Sequence, residues 1–112
     1  MVAALTRLTR PAIGAASAAL LLAAGLASAN QQPEVHMRNN LYLPDALTVP
    51  AGTTVRFVND DGDIHTVSKV GGGLDSGLMF AGGAWSYTFS EPGIYEYVCL
   101  PHPFMRATIT VE

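Results

Sequence analysis

The stretch Tyr97-Val98-Cys99-Leu100-Pro101-His102-Pro103-Phe104-Met105 carries more chemical information than any other part of the chain. It places a thiol at Cys99, an imidazole at His102 and a thioether at Met105, at intervals of three residues. Two prolines stiffen the segment, which lies between the end of one predicted strand and the start of the next. We therefore expect a tight loop that can direct all three donor atoms at one point.

Cys99 is the only cysteine among the 112 residues, so it cannot form an internal disulfide. An unpaired thiol in an exported protein is a liability unless a partner cysteine, a reaction or a metal occupies it. A second imidazole has to come from elsewhere, and His65 stands at the start of a predicted strand, directly after an acidic turn. A thiolate, two imidazoles and a weak thioether form a donor set that suits copper in both oxidation states.

The same residues are also compatible with a zinc site or with ordinary structural roles. Zinc also accepts cysteine and histidine, but methionine is not among its usual ligands, so Met105 favours copper. Taken singly, the donors could be a buried cysteine, polar histidines and a core methionine. The spacing Cys-x-x-His-x-x-Met, together with an upstream histidine, argues against four unrelated structural roles. His36 has no partner at ligand spacing and is interpreted as an ordinary polar residue.

Residues 1–29 are typical of a secretory signal peptide. Arg7 and Arg10 give a positive start, an uncharged Ala- and Leu-rich run follows, and Ala27-Ser28-Ala29 matches the small-residue cleavage pattern. We expect cleavage after this pattern, which leaves a domain of residues 30–112 in the periplasm. A retained membrane anchor is the alternative, but glycine and serine interrupt the apolar run, which is short for a bilayer that needs about 20 apolar residues.

Removal of 29 residues from 112 leaves 83, enough for one small domain. Four basic side chains then stand against nine acidic ones, for a net charge of −5 with neutral histidines. This balance argues against nucleic-acid binding and favours protein partners. A chain of this size buries only about 60 to 70% of its unfolded surface, so a bound metal would add stability that it needs.

Short runs of β-forming residues alternate with Gly- and Pro-containing turns, and almost no helical periodicity is present. The runs predicted as strands are residues 46–49, 53–59, 65–70, 84–90, 94–99 and 106–112. Within the second run, Val55, Phe57 and Asn59 share one face. Strands of this length and spacing predict an all-β fold, either an antiparallel β-sandwich or a barrel.

The motifs of common catalytic sites are missing from the expected mature chain. Gly71-Gly72-Gly73 is not followed by the Gly-Lys-Ser/Thr of a phosphate loop. Neither a Gly-x-Ser-x-Gly elbow nor a Ser/His/Asp order supports nucleophilic catalysis. The four expected donors also leave no open metal position for a substrate. We therefore expect a carrier and not an enzyme, with no catalytic residues.

With these features the chain resembles the cupredoxin family of type 1 (blue) copper proteins over residues 35–112. Besides the ligand motif, the likeness rests on Thr48 to Val55, Phe57 to Asn59, Asp75 to Gly77, Tyr87 to Phe89 and Pro92 to Tyr95. The short spacing before the methionine resembles the amicyanin branch of that family. The resemblance implies a Greek-key β-sandwich with one copper ion, cycling between Cu(II) and Cu(I), held by His65, Cys99, His102 and Met105.

The resemblance also implies a role in electron transport. Members of this family shuttle single electrons between exported redox proteins, and amicyanins take them from an amine dehydrogenase and pass them to a c-type cytochrome. We expect such redox partners, and a monomer. A carrier that delivers the copper ion itself is the alternative, but Cu(I) delivery sites commonly rely on several methionines or paired cysteines, and this motif holds one of each.

One residue of the expected site departs from the family pattern. The position after the first ligand histidine is commonly asparagine, which helps to tie the two ligand loops together, and here it is Thr66. A hydroxyl can still bond across the loops with a different reach, so the reduction potential is the property most affected. Asn59 either helps to hold the ligand loop or is an ordinary polar residue at a strand end.

The resemblance places His102 near the surface, inside an apolar patch. The residues of this patch are Pro101, Pro103 and Phe104, with Leu78 or Met79 adjoining. Such a patch suits brief docking, because redox partners usually meet through small interfaces of under about 1,200 Å². The acidic turn with Asp60, Asp61 and Asp63 either steers a basic partner or is simply solvated.

Overall fold

The structure is a computed structural model that describes residues 32–112, and within this range every regular element is a β-strand. The strands are β1 (Glu34–Arg38), β2 (Leu41–Leu43), β3 (Ala46–Val49), β4 (Thr53–Asn59), β5 (Ser68–Lys69), β6 (Ala84–Phe89), β7 (Gly93–Val98) and β8 (Arg106–Val111). The predicted signal peptide lies outside the described residues. Among residues 32–112, no helix is long and apolar enough to cross a membrane.

The eight strands form two four-stranded sheets, with the orders β2-β1-β4-β6 and β3-β8-β7-β5. The predicted all-β sandwich is confirmed. The sheets are mixed and not purely antiparallel, since β1 pairs in parallel with β4, and β3 pairs in parallel with β8. The chain passes from the first sheet to the second at β3 and returns as β4, and parallel pairing requires such a crossover.

The core lies between the two sheets and is built from alternate residues of the strands. In β4 the buried residues are Val55, Phe57 and Asn59, as the period-two pattern predicts. The ring of Phe57 packs edge-on against Tyr97 of β7, with centroids 5.7 Å apart. This contact joins the inner faces of the two sheets, and burial of one such side chain stabilises the fold by about 1.5 to 3 kcal/mol.

The pairing of β7 with its two neighbours positions the quoted loop. Val98, the last residue of β7, pairs with Ser68 of β5 on one side and with Arg106 of β8 on the other. Residues 99–105 therefore connect two adjacent antiparallel strands. When the register of Ser68 and Val98 is continued, Thr66 lies opposite Leu100, so the segment that carries His65 meets the loop at one end of the sandwich.

The strand positions differ from the prediction in two places. The run predicted at residues 65–70 is a strand only at β5, and His65 instead forms an isolated bridge with Met79. The strands β1 and β2 precede the first predicted strand. Both segments that hold histidine and cysteine donors are thus irregular chain anchored on regular strands, which is where binding groups are commonly found.

Candidate metal centre

Backbone hydrogen bonds close the loop of residues 99–105 on itself. The N–H of Cys99 donates to the carbonyl of Met105 at 3.2 Å, and the N–H of Met105 donates to the carbonyl of His102 at 2.8 Å. The N–H of His102 in turn donates to the carbonyl of Cys99 at 3.1 Å. Pro101 and Pro103 have no N–H, so this tight loop has two fewer donors that need a partner.

This closed loop and the segment after β4 bring three donor atoms together. The Sγ atom of Cys99 lies 3.6 Å from Nδ1 of His65 and 3.5 Å from Nδ1 of His102. All three donor atoms lie within 4.8 Å of one another. Cys99 and His65 are fully buried, whereas the side chain of His102 is 23% exposed.

These distances can be compared with those that a single metal ion requires. A first-row ion such as zinc binds thiolate sulfur at about 2.3 Å and imidazole nitrogen at about 2.0 Å, which places the two donors roughly 3.5 Å apart at tetrahedral angles. The sulfur-to-nitrogen separations of 3.5 and 3.6 Å agree with this value. The residues present therefore fit one ion, and their mixture of soft sulfur and imidazole suits copper.

The orientation of His65 is fixed by Asp61, four residues earlier in the chain. Nε2 of His65 lies 2.8 Å from Oδ2 of Asp61. Because a carboxylate can only accept, Nε2 carries the proton and Nδ1 is left with a free lone pair directed at Cys99. A carboxylate behind a metal-binding histidine sets the tautomer and raises the basicity of the ligand nitrogen.

Asp61 is itself held by the turn between β1 and β2. The N–H groups of Asn39 and Asn40 donate to its two carboxylate oxygens at 2.8 and 3.0 Å. Burial opposes ionisation of Asp61, yet the bonds from the Asn40 N–H, from His65 and from the Asn39 N–H outweigh burial and hold the pKa of this carboxyl below its ordinary value. Asp61 is therefore a charged anchor that links a remote hairpin to His65.

Asn59, the last residue of β4, is fully buried and organises the turn that follows it. Its Nδ2 donates to the carbonyls of Asp63 and Met79 at 2.8 and 2.9 Å. Its Oδ1 accepts from the N–H of Asp61 at 2.9 Å. Of the two interpretations of Asn59, the hydrogen bonds favour the one in which it holds the segment that carries His65.

Thr66 spans the two segments that carry the donors. Its hydroxyl oxygen accepts from the N–H of Leu100 at 2.9 Å. The predicted bond across the two ligand loops is therefore present. The carbonyl of Thr66 also accepts from the hydroxyl of Tyr42, a buried residue of β2. Thr66, the residue after His65, is thus held by its carbonyl from β2 in the other sheet and by its side chain from the loop.

Met105 is 1% exposed, and its backbone bonds to Cys99 and His102 place it at the end of the same closed loop. The sequence thus identified residues that the fold brings together: His65, Cys99 and His102 meet, and Met105 follows them. Asp61 is the residue whose role was missed. Asp60 and Asp63 are exposed, as the prediction of a solvated turn requires, although Asp60 also pairs with Arg38. Asp61 does not fit that prediction, because it is bonded to the buried His65.

The surface next to His102 carries exposed apolar side chains, as predicted, beside the exposed carboxylate of Asp63, whose Oδ2 lies 3.9 Å from Nε2 of His102. The ring of Phe104 lies 5.9 Å from that of His102, and Phe104 is 69% exposed. Leu100 in the same loop is also exposed, as are Leu78 and Phe80, which flank the residue that pairs with His65. That residue, Met79, is buried, so of the two residues expected to adjoin the patch only Leu78 presents its side chain to solvent.

Comparison with known proteins identifies the family and several relatives of this chain. The cupredoxin-like domain family matches residues 11–111. The amicyanin of Paracoccus versutus is 41% identical over 76 residues, which cover 63% of this chain and 58% of that protein. Amicyanin-alpha of Methylorubrum extorquens is 32% identical over 111 residues, which cover 90% of this chain and 93% of that protein.

A solved structure agrees at the level of the fold. An amicyanin variant in its Cu(I) form is 34% identical and superposes with a TM-score of 0.69, over 72% of this chain and 82% of the other. The two sequence alignments cover little more than half of the Paracoccus amicyanin and nearly all of the Methylorubrum amicyanin-alpha. Since the family match extends over most of the chain and the sandwich agrees with it, this protein belongs to the cupredoxin family.

Proposed function

We propose that this cupredoxin is a small blue copper protein that carries single electrons, with one copper ion held by His65, Cys99, His102 and Met105. The observation that supports the proposal best is the convergence of Cys99 Sγ with the Nδ1 atoms of two histidines in a largely buried cluster. A thiolate with two imidazoles and a weak axial thioether is the donor set of blue copper sites. When bound, the copper ion supplies the one-electron couple.

The contribution of the protein is a largely buried set of donors, held in place by hydrogen bonds. Cys99 and His65 are fully buried, and the backbone at Cys99 is held on both sides by hydrogen bonds. Asp61 fixes the ring of His65 from behind. Donors that are held in one arrangement need not rearrange between two oxidation states, and electron transfer is faster when little has to rearrange. The four proposed donors leave no evident open position on the ion for a substrate, which supports a carrier and not an enzyme.

The partly exposed edge of His102 is the proposed point of electron entry and exit. It lies beside Phe104 and Leu100, and these exposed apolar side chains can be desolvated on brief contact with a partner. Small interfaces of under about 1,200 Å² are typical of such encounters. By analogy with the amicyanins, we propose an amine dehydrogenase as donor and a c-type cytochrome as acceptor, with this protein acting as a monomer.

Export to the periplasm belongs to the same proposal. Residues 1–29 have the pattern of a cleavable signal, so the exported protein should begin at Asn30. The intact mass of the protein recovered from the periplasm of an expressing bacterium measures this boundary. A mass that retains all 112 residues would contradict it and would favour a retained anchor.

Electron transfer and copper delivery predict different behaviour on reduction. The copper-loaded protein is reduced and reoxidised repeatedly in the presence of a soluble Cu(I) chelator. A carrier retains the ion, so the electron paramagnetic resonance signal of Cu(II) returns in full after each reoxidation. Transfer of Cu(I) to the chelator at the first reduction would overturn the proposal in favour of delivery. The variant His65→Gln removes one of the proposed copper ligands. Its matched control is His36→Gln, because His36 lies outside the donor cluster.

A further inference from the structure

A line of hydrogen bonds leads from the ligand loop to a carboxylate at the surface. The hydroxyl oxygen of Thr66, which accepts from the N–H of Leu100, lies 2.9 Å from the hydroxyl oxygen of Ser68. Ser68 in turn donates to Oδ1 of Asp75 at 3.1 Å. Thr66 and Ser68 are buried, with exposures of 2% and 6%, whereas Asp75 is exposed. We refer to Thr66, Ser68 and Asp75 as the hydroxyl relay.

The fold explains why these side chains line up. Thr66 and Ser68 are two residues apart in extended chain, so their side chains lie on the same face. Ser68 forms a backbone bridge with Asp75 and pairs with Val98 at the end of β7. The relay therefore crosses three neighbouring segments. It connects the segment of His65 and the turn at Asp75 with the first peptide of the loop that begins at Cys99.

The two ends of the relay fix the direction of every bond in it. A backbone N–H can only donate, so the oxygen of Thr66 is the acceptor for Leu100. A carboxylate can only accept, so the hydroxyl proton of Ser68 is committed to Asp75. Ser68 can then only accept a hydrogen bond from Thr66, so the hydroxyl of Thr66 donates to the hydroxyl oxygen of Ser68. Each hydroxyl thus accepts from the ligand-loop side and donates towards Asp75.

We propose that the hydroxyl relay is the positioning device of the copper centre, in which Asp75 polarises Ser68 and Thr66 so that Thr66 holds the peptide joining Cys99 to Leu100. Bonds in such a chain strengthen one another in one direction. The peptide plane next to Cys99 is then fixed relative to His65, whose Nδ1 lies 3.6 Å from the sulfur. This inference rests on the proposed metal site, but the hydrogen bonds of the relay can be tested separately from metal binding.

The first test uses the metal-free protein, so its result does not depend on the copper proposal. Thr66→Val removes the hydroxyl with little change in shape, and we expect hydrogen exchange of the Leu100 amide to become about tenfold faster, since one net hydrogen bond is worth about that factor. Thr66→Ser should restore protection. Thr54→Val is the matched control. The hydroxyl of Thr54 also makes a hydrogen bond, to the hydroxyl of Thr88, and both residues are distant from the loop in the sequence.

The second test asks whether the effect passes along the relay. Ser68→Ala leaves Thr66 and Leu100 unchanged but removes the acceptor for the Thr66 proton. We expect the amide proton resonance of Leu100 to move upfield, as it does when its hydrogen bond weakens. An unchanged Leu100 resonance in Ser68→Ala would overturn the relay, and Thr66 would then act alone.

The third test connects the relay with the metal. Zn(II) and Cu(II) affinities are measured by chelator competition for Thr66→Val, Thr66→Ser and Thr54→Val. Loss of a residue that supports ligands typically reduces metal affinity by about 10- to 100-fold, and we expect this loss in Thr66→Val alone. Affinities of Thr66→Val equal to those of Thr54→Val would overturn the positioning role. If only Zn(II) is bound tightly by all forms, the copper function fails while the exchange results still test the relay.

Discussion

Two buried tyrosines on facing sheets, Tyr42 and Tyr97, differ in whether their hydroxyl groups are hydrogen-bonded. Their rings pack edge to face at 4.7 Å. Burial, followed by the charges of Cys99 and Tyr97, raises the pKa of Tyr42, so its hydroxyl remains a donor to the Thr66 carbonyl. The hydroxyl of Tyr97 is buried and has no hydrogen-bond partner among residues 32–112.

Removal of each hydroxyl should therefore have a different effect on stability. Tyr42→Phe leaves a buried carbonyl unpaired and should lower the free energy of unfolding by about 1 to 3 kcal/mol. Tyr97→Phe removes a hydroxyl that is already unpaired, so stability should be unchanged or higher. Denaturant unfolding of the two variants measures this difference. Equal destabilisation by both would contradict the hydrogen-bond assignments.

The sequence identifies single residues well where the chemistry is local. Cys99, His102 and Met105 are three residues apart, so their common purpose is visible without a structure. Asp61 could not be assigned in this way. Its spacing of four before His65 is a usable signal, but only the fold shows that its carboxylate faces the ring and receives two N–H groups from a distant turn.

At the level of elements, the hairpin between β1 and β2 supports the site from a distance. Asn39 and Asn40 both have positive φ angles, 55° and 57°. Asparagine tolerates this left-handed region better than residues with ordinary side chains. The conformation directs both N–H groups at Asp61, so the identity of these residues contributes to the orientation of His65.

Substitution of Asn40 should reveal this backbone requirement. Alanine keeps the Cβ in the left-handed region, at a cost of roughly 1 to 2 kcal/mol, but lacks the polar side chain that lets asparagine tolerate it, whereas Asn40→Gly adopts the same φ freely. We expect the alanine variant to unfold at a lower denaturant concentration than the glycine variant. A glycine variant less stable than the alanine variant would contradict the assigned turn.

The predicted strands agree with the structure where apolar residues alternate over several positions. The runs at 46–49 and 53–59 coincide with β3 and β4. The strands β1 and β2 are harder to predict, because β2 has three residues and β1 has only two buried apolar residues between charged or polar ones. The parallel pairings of β1 with β4 and β3 with β8 depend on contacts between distant segments, which periodicity within a strand does not specify.

At the level of the whole molecule, a network of charges on one sheet should make stability depend on pH. His36 lies between two carboxylates, 2.7 Å from Asp60 and 2.9 Å from Glu34. The bonds from Asp60 and then Glu34 raise the pKa of His36 above its ordinary value of 6.5. The pKa of Glu34 is lowered below 4.5, first by His36 and then by Arg56. The lowered pKa of Glu34 therefore affects stability below pH 4.5, and the raised pKa of His36 affects it above pH 6.5.

The contribution of His36 to stability is complete below pH 6.5 and is lost as the pH rises through its higher folded pKa. That of Glu34 is complete above pH 4.5 and is lost as the pH falls through its lower folded pKa. The stability lost in His36→Gln should therefore be largest between pH 4.5 and 6.5 and should shrink at alkaline pH. Because the groups are largely exposed, the effect should be small and weakened by salt. A loss independent of pH would contradict the ion-pair assignment.

The central claim concerns the chemistry of one cluster, and the optical and electron paramagnetic resonance spectrum of the purified protein with one equivalent of Cu(II) tests it most directly. A thiolate bound to Cu(II) gives an intense visible band, and we predict this band in the wild type, its disappearance on reduction and its absence in Cys99→Ser. A pale spectrum that Cys99→Ser leaves unchanged would contradict copper binding by this sulfur, and with it the assignment of the protein as a blue copper electron carrier.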